Sequence, residues 1–501
     1  MANAMLDDDF QPSQSLEDLH SKIMPISPKK TVEFALEPPP KRVRTSAKEL
    51  IDAIATAITP DERRHALLRA RDEWDHGNAR QHDVELLAGA DAVLLKHWTL
   101  VVWTNEVVDD ELLWTCQALE SVYRASSGAV EASFKRMGHL ALKHVVHLIG
   151  EELNRRVPTL VSDGKQEERD GPHEEEGEEG DDAARIQESP ERDLLLKKLV
   201  RILGNLARVG DATKPMAHFP GLVGCLIRMI SSYVDEECIP WEARLSALWV
   251  LANLACNSEN MQHMACTKGM IPALVQVACR RLNTDDSLER TMEILRSRSI
   301  ACRAILNLSW APENKISLAE HAPLIDMLTE LAVFRKTLLG RSRTVQDVVI
   351  QTRRYAVGAL RNLAAAPRRI KIGLCEYQNG HLLDTLTDAA LNDGDENVIV
   401  RAFAAIHNLA VQDTAEKMIQ HPALVLALKG ALSDDLVVKD DDEGSPRSHA
   451  SATLMVLERS ITPDMACYQD LRELLDAANP ERPNQDISEE SDMEGVNTFA
   501  V

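Results

Sequence analysis

Five times along this chain an asparagine precedes a leucine near the end of an aliphatic run. The stretches are "RILGNLARVGD" at Asn205, "LWVLANLACNSEN" at Asn253, "AILNLSWAPEN" at Asn307, "GALRNLAAAPR" at Asn362 and "AIHNLAVQD" at Asn408. A carboxamide offers two donors and an acceptor, which is the chemistry needed to hold a peptide backbone. Asparagine is a poor helix former, so its return inside helical runs needs a reason. Two reasons are open at this point. Each amide bonds a neighbouring helix and fixes stacking, or each clamps an extended ligand.

Residues seven and four before each asparagine, and three after it, share its helical face. From Asn205 these are Lys198, Arg201 and Arg208; from Asn253, Ser246 and Trp249; from Asn307, Arg303 and Trp310; from Asn362, Tyr355; and from Asn408, Arg401. No acidic residue is among them, although the chain carries a net charge of −23. The bias of this face runs against that of the whole protein. A set of solvated cations on an exposed helix face is the plainer reading of the same residues.

Little else in the chain has the spacing of a chemical site. There is no phosphate-cradling G-x-x-x-x-G-K-[ST], no G-x-S-x-G elbow and no H-E-x-x-H, so no catalytic residue, cofactor or enzymatic activity is expected. His144 and His147 lie one turn apart with His139 before them, a pattern more often of surface or stacking histidines than of metal ligands. The nine cysteines include no Cys-x-x-Cys pair, and the gaps between Cys256, Cys266 and Cys279 fit no zinc pattern; no metal is expected. Free thiols in apolar helices suit a reducing compartment, nucleus or cytosol. Ser27, Ser189 and Ser445 precede proline and Ser491 lies among acids, so these four are candidate phosphorylation sites.

The elements that must position the asparagines repeat with them. Their separations are 48, 54, 55 and 46 residues, a period of the kind that signals a solenoid. After each Asn-Leu comes a short polar stretch and then a second amphipathic helix. It opens with glycine in "GLVGCLIRMI" (Gly221), "GMIPALVQVA" (Gly269) and "GHLLDTLTDAA" (Gly380), and with proline in "HAPLIDMLTEL" (Pro323) and "HPALVLALKGAL" (Pro422). Glycine supplies the left-handed cap of the preceding helix, and proline tolerates a first turn. With aromatics at 4% and apolar residues at 44%, the core is aliphatic.

"SENMQHMACTKGMIPALVQVA" followed by "SIACRAILNLS" resembles one unit of an armadillo-repeat protein: a short first helix, a second opening near G-x-x-P-x-L-V, and a third ending in A-L-x-N-L. The resemblance is strong from about Leu194 to Leu432 and weaker outside. It implies an all-α, right-handed armadillo (ARM/HEAT-like) α-solenoid whose third helices line a concave groove, with the asparagines clamping an extended peptide. The longer periods place surplus residues between second and third helices, after Leu282 and after Lys336. Upstream, a second helix is expected to begin at Gly138; downstream, "ASATLMVLERS" is a third helix with Val456 in the asparagine position, and "DLRELLDAAN" caps the array.

The expected organisation is a disordered tail at 1–45, divergent helical repeats at 46–161, an acidic disordered insertion at 162–190, armadillo repeats at 191–479 and an acidic disordered tail at 480–501. The insertion holds 12 acidic and 3 basic residues and cannot bury a core; lying across the groove as an internal shield is one expectation for it. Importin-alpha-type adaptors read basic signals with repeated Trp-x-x-x-Asn pairs, of which only Trp249 and Asn253 stand here. Beta-catenin-like proteins use a basic groove for acidic segments, and this sequence leans that way. The expected partner is therefore a protein, through an extended and acidic segment; a transport adaptor and a regulator or exchange factor of a small GTPase are the alternatives.

The negative charge repels phosphate backbones, so nucleic acid is not an expected ligand. No apolar run reaches the ~18 residues a membrane span needs. In "EPPPKRVRTS" (37–46), Lys41, Arg42 and Arg44 follow prolines that hold the segment extended, as a nuclear-import receptor's ligand must be; nuclear or cytoplasmic residence is expected. Changing Lys41, Arg42 and Arg44 to alanine should shift a fluorescently tagged protein from nucleus to cytoplasm. Unchanged nuclear accumulation in microscopy would exclude this cluster as the signal.

Overall fold

The structure is a computed structural model that describes residues 47–57, 59, 61–62, 65–69, 112–113, 115–120, 127–156, 190–231, 238–283, 286–334, 342–432, 444–465 and 467–478. The expected tails at 1–45 and 480–501 lie outside these residues, and so does the acidic insertion apart from Pro190 at its end. So do Lys41, Arg42, Arg44, Ser27, Ser189 and Ser491. All regular structure among the described residues is helical.

Among the described residues, α1 (Ala47–Thr56), α2 (Ser127–Arg156) and α3 (Pro190–Leu206) precede the repeats, along with shorter helical pieces within 61–69 and 112–120. Five triplets follow, each a short first helix, a second and a third. They are α4 (Gly210–Ala217), α5 (Leu222–Ser231) and α6 (Trp241–Leu254); α7 (Ser258–Cys266), α8 (Met270–Ala278) and α9 (Leu288–Leu308); α10 (Pro312–Ala319), α11 (Ala322–Ala332) and α12 (Arg343–Ala364); α13 (Arg368–Glu376), α14 (His381–Asn392) and α15 (Glu396–Leu409); and α16 (Gln412–Ile419), α17 (Pro422–Leu432) and α18 (Pro446–Ser460). Helix α19 (Tyr468–Ala478) closes the series. This succession is an armadillo-like α-solenoid, and the five asparagines fall near the ends of α3, α6, α9, α12 and α15.

By its contacts the chain divides into two compact units, residues 1–144 with 186–198 and 336–348, and residues 145–185 with 199–335 and 349–501. In the first, Leu112, Cys116 and Leu119 are buried, and the Lys198 ammonium meets the Glu120 carboxylate at 2.6 Å. The second contains the triplets apart from the start of α12. Its core is aliphatic, with Leu248, Leu251 and Leu254 of α6 and Ile305 and Leu308 of α9 fully enclosed and Phe403 of α15 its largest buried side chain.

The glycine punctuation works as the sequence suggests. Gly221, Gly269 and Gly380 adopt φ of 82°, 85° and 98°, ending one helix and opening the next; any L-residue there is strained. Gly138 does not behave this way. It lies inside α2, which runs unbroken through it. No proline follows it, and the aliphatic spacing of "LALKHVVHLI" continues across it, so its helical cost of about 1 kcal/mol is absorbed.

The surplus residues before the third helices are also placed differently from the expectation. After Leu282 only a short connection remains, and the rest lengthens α9 backwards to Leu288, capped by Ser287 accepting from the Arg290 amide at 3.1 Å. A buried ion cluster holds this extension. Glu293, about 5% exposed, takes Arg244 at 3.1 Å, Arg280 at 2.9 Å and Arg290 at 2.6 Å. Arg298 donates to the Arg280 carbonyl and lies 5.1 Å from the Phe334 ring centre. Similarly α12 begins at Arg343, taking in the later part of the surplus after Lys336.

Neutralising Glu293 takes a carboxylate partner from three guanidinium groups at once. Glu293→Gln should destabilise the protein by about 3 kcal/mol, read as a lower midpoint in urea denaturation followed by circular dichroism. A change within about 0.5 kcal/mol would mean that the arginines carry no buried charge penalty.

Candidate functional site

The last four carbonyls of an α-helix have no partner within it. In α6, Leu251 and Asn253 are served by the amides of Ala255 and Cys256. The carbonyl of Ala252 instead accepts Asn307 Nδ2 from the next third helix, at 3.1 Å. One repeat on, Leu306 O accepts Asn362 Nδ2 at 3.2 Å, and one further, Arg361 O accepts Asn408 Nδ2 at 3.2 Å. In every case the acceptor is the residue just before the preceding repeat's own asparagine. Three of the five asparagines therefore stack repeats. Asn362 also reaches Ser309 Oγ at 3.2 Å and is itself buried.

A second set of asparagines, which the Asn-Leu period does not reveal, serves the remaining carbonyls. Asn260 Nδ2 donates to Leu254 O and to Thr213 O of the preceding first helix, both at 3.0 Å. Asn314 Nδ2 repeats this on Leu308 O at 2.9 Å and Met261 O at 3.1 Å. Both lie seven residues after a third-helix asparagine, in "CNSEN" and "WAPEN". Thr414 takes the role on Leu409 O at 2.8 Å.

The remaining predicted residues separate into those that reach a common face and those that do not. Arg303 of α9 lies over the Trp249 ring of α6, 5.0 Å from its centre, with Nη2 3.8 Å from Cys256 Sγ. Arg401 of α15 crosses to α12, where Nη1 donates to Arg354 O at 2.9 Å. Its stem passes over Gly358, where a Cβ would stand 3.6 Å from Arg401 Cδ and 3.1 Å from Leu306 Cδ1; the missing side chain leaves the slot the arginine fills. Tyr355 of α12 lies in the fields of both arginines. Burial pushes its phenol up, and Arg303, a hydrogen bond from Gln351 and Arg401 pull it back. Trp249, Arg303, Tyr355 and Arg401 thus form one run across four successive third helices. Trp310 is 48% exposed.

Others are committed elsewhere or stand apart. Lys198 pairs with Glu120, and Ser246 is buried, its hydroxyl on Glu242 O at 2.8 Å. Arg201 and Arg208 each take part in a polar interaction of their own. Asn205 and Asn253 are half-buried, and their amides make no hydrogen bond to a described residue. His144 is buried while His147 is exposed, so the two face apart. Val456 is a half-buried residue of α18, but the ring that meets His407 is His449, seven residues earlier, at 6.1 Å. Ser445 caps α18, accepting from the Ser448 amide at 3.1 Å.

No protein-family model and no curated protein matches the chain. Among solved structures, a designed armadillo repeat protein is similar at 24% identity, covering 54% of this chain and 95% of that one with a TM-score of 0.40. Another designed armadillo repeat protein, in complex with the peptide (KR)4, matches with the same figures of 24%, 54%, 95% and 0.40. An engineered protein is similar at 16% identity over 73% of this chain and 98% of that one, at 0.36. At such scores the likenesses stand as observations, and the architecture rests on the helices themselves.

The two kinds of asparagine should respond differently to truncation. Asn362→Ala takes the donor from Ser309 Oγ and one of two donors from Leu306 O, which keeps the Ser309 hydroxyl, and should cost about 1–1.5 kcal/mol. Asn253→Ala should stay within about 0.5 kcal/mol of the parent. Urea midpoints of the two variants measure this, and equal losses would show that Asn253 also stacks.

Proposed function

We propose that the protein is a non-enzymatic scaffold that binds an extended acidic segment of a partner protein along its third-helix face. The observation that carries this reading is the run Trp249, Arg303, Tyr355, Arg401. Two guanidinium groups act on a half-buried phenol, and among the described residues no carboxylate does, in a chain of net charge −23. Guanidinium forks suit carboxylates, aromatic faces hold the ligand's apolar stems, and the amides of Asn205 and Asn253, which bond no described residue, suit a peptide backbone. Packed helices stand about 10 Å apart and an extended chain rises about 3.3 Å per residue, so three residues span one repeat. A segment of about nine residues would cross the four helices.

The basic-signal adaptor is the weaker reading, because Arg303 already covers the Trp249 face that a ligand lysine or arginine would need. Nothing among the described residues favours action on a GTPase. Nuclear or cytoplasmic residence, through Lys41, Arg42 and Arg44, and capture of segment 37–46 by an import receptor, belong to the same proposal.

Fluorescence anisotropy with a labelled extended Glu-rich peptide tests it. Binding should weaken as salt rises from about 50 to about 300 mM, and Arg303→Glu with Arg401→Glu should weaken it by at least about tenfold. A Lys/Arg peptide of equal length should not bind. Preference for the basic peptide, or indifference to both arginine changes in a protein that melts normally, would overturn the acidic-ligand reading.

A further inference from the structure

Beside the asparagine ladder lies a second group of cations. Arg361 and His407 each stand one residue before a ladder asparagine. With Lys315 of α10, Lys371 of α13 and His449 of α18 they make five half-buried basic side chains from five helices. The His407 and His449 ring centres are 6.1 Å apart, and the Asn408 bond to Arg361 O draws α15 against α12 at this point. Burial holds four of the groups below their ordinary pKa, and neighbouring positive charge adds to it: Lys315 through Arg361, Lys371 through Lys315 (with Cys375 acting more strongly the other way), His407 through Lys371, and His449 through His407 and Arg361. The neighbours close into a ring. Among the described residues no carboxylate acts on any of these four, and none from α16, α17 or α19, which also pack on α18, acts on His449. His407 Nδ1 is buried without a hydrogen-bond partner. Like charges held half out of water beside one another are unfavourable, and an anion among them relieves the repulsion.

A side chain that could carry such an anion stands one helical turn away. Ser445 is the N-cap of α18, with extended backbone (φ −72°, ψ 156°) and Pro446 at the first helical position. The His449 amide donates to Ser445 O at 3.1 Å, which sets the two residues one turn apart at the start of the helix. We propose that Ser445 is the target of a proline-directed kinase and that its phosphate docks on His449 and His407, backed by Arg361 and Lys371. Transfer of the γ-phosphoryl group of a nucleoside triphosphate forms the bond to Ser445 Oγ, breaks the bond to the departing nucleoside diphosphate and releases the hydroxyl proton. The phosphate then replaces the hydroxyl as acceptor at the helix N-terminus, where a negative charge is favoured.

The inference stands apart from the partner reading, since it concerns the chain's own phosphate. It also sets a pH dependence. In the unmodified chain the two imidazoles have folded pKa values below the unfolded one, so stability is lost as pH falls below about 6.5. A phosphate favours the imidazolium forms and offsets that loss. The advantage of the phosphorylated chain should therefore grow between about pH 7.5 and about pH 6.

Two experiments on the full chain test this. Incubation with a proline-directed kinase and ATP, followed by peptide mass mapping, should place phosphate on Ser445; its absence there overturns the site. With phosphoserine incorporated at position 445, a phosphorus-31 titration should show the phosphate pKa lowered by about one unit from the value near 6 in a free peptide. His407→Gln with His449→Gln should return most of that shift and flatten the pH dependence of melting. Lys371→Met serves as a second variant should the double change unfold the protein by circular dichroism. No shift, or a shift that survives in the folded variants, overturns docking on the ring and leaves a phosphate held by the helix end alone.

Discussion

The unpaired carbonyls at the end of each third helix are the constraint on which the rest of this architecture turns. An isolated helix leaves them to water. In a stack of helices, water is excluded and a buried carbonyl without a donor costs about 1–3 kcal/mol. Here the orphan groups at the ends of α6 and α9 are met in a fixed division: backbone amides of the tightening last turn, a side chain of the following first helix, and the asparagine of the next third helix. Helix spacing, register and the course of the chain into the next repeat all follow from meeting these bonds together.

Once the third helices are pinned side by side, their common face is set, and its charge follows from which side chains the pinning leaves there. Arg303 stacks on an aromatic ring and Arg401 lies in the slot left by Gly358, so both guanidinium groups are held in place by neighbours rather than trailing in solvent. Less ordering entropy is lost when such groups meet a ligand. Packing also gathers the basic side chains around His407, so an acidic protein holds a second group of basic residues drawn from five helices.

The architecture was legible in the sequence because a repeated unit states its local rules several times. Asn-Leu at the end of an aliphatic run, a glycine or proline at the start of the next helix, and the near-absence of aromatics were enough for the helical triplets. The role of the asparagines was half legible. A carboxamide that bonds backbone is evident from its type, but whose backbone it bonds depends on the rise between neighbours, which no single helix records. Asn260 and Asn314 carried a usable signal in their shared "EN" seven residues on, hidden because only two repeats have it. Lys198 was misplaced because its partner Glu120 is 78 residues away in sequence. The lengthened α9 was read as a connection because its arginines and Glu293 look like a solvated polar segment until three repeats' worth of chain close around them.

The asparagine bonds all point the same way along the chain, donor in the later repeat and acceptor in the earlier. Each unit of this kind is thus a monomer with a head and a tail, complete only when joined on both sides. Duplicating or deleting a whole unit leaves every internal joint intact and changes only the length. An array built on such joints can grow or shrink in evolution by whole repeats, while the cost of an unmet group is confined to the two places where the polymer stops.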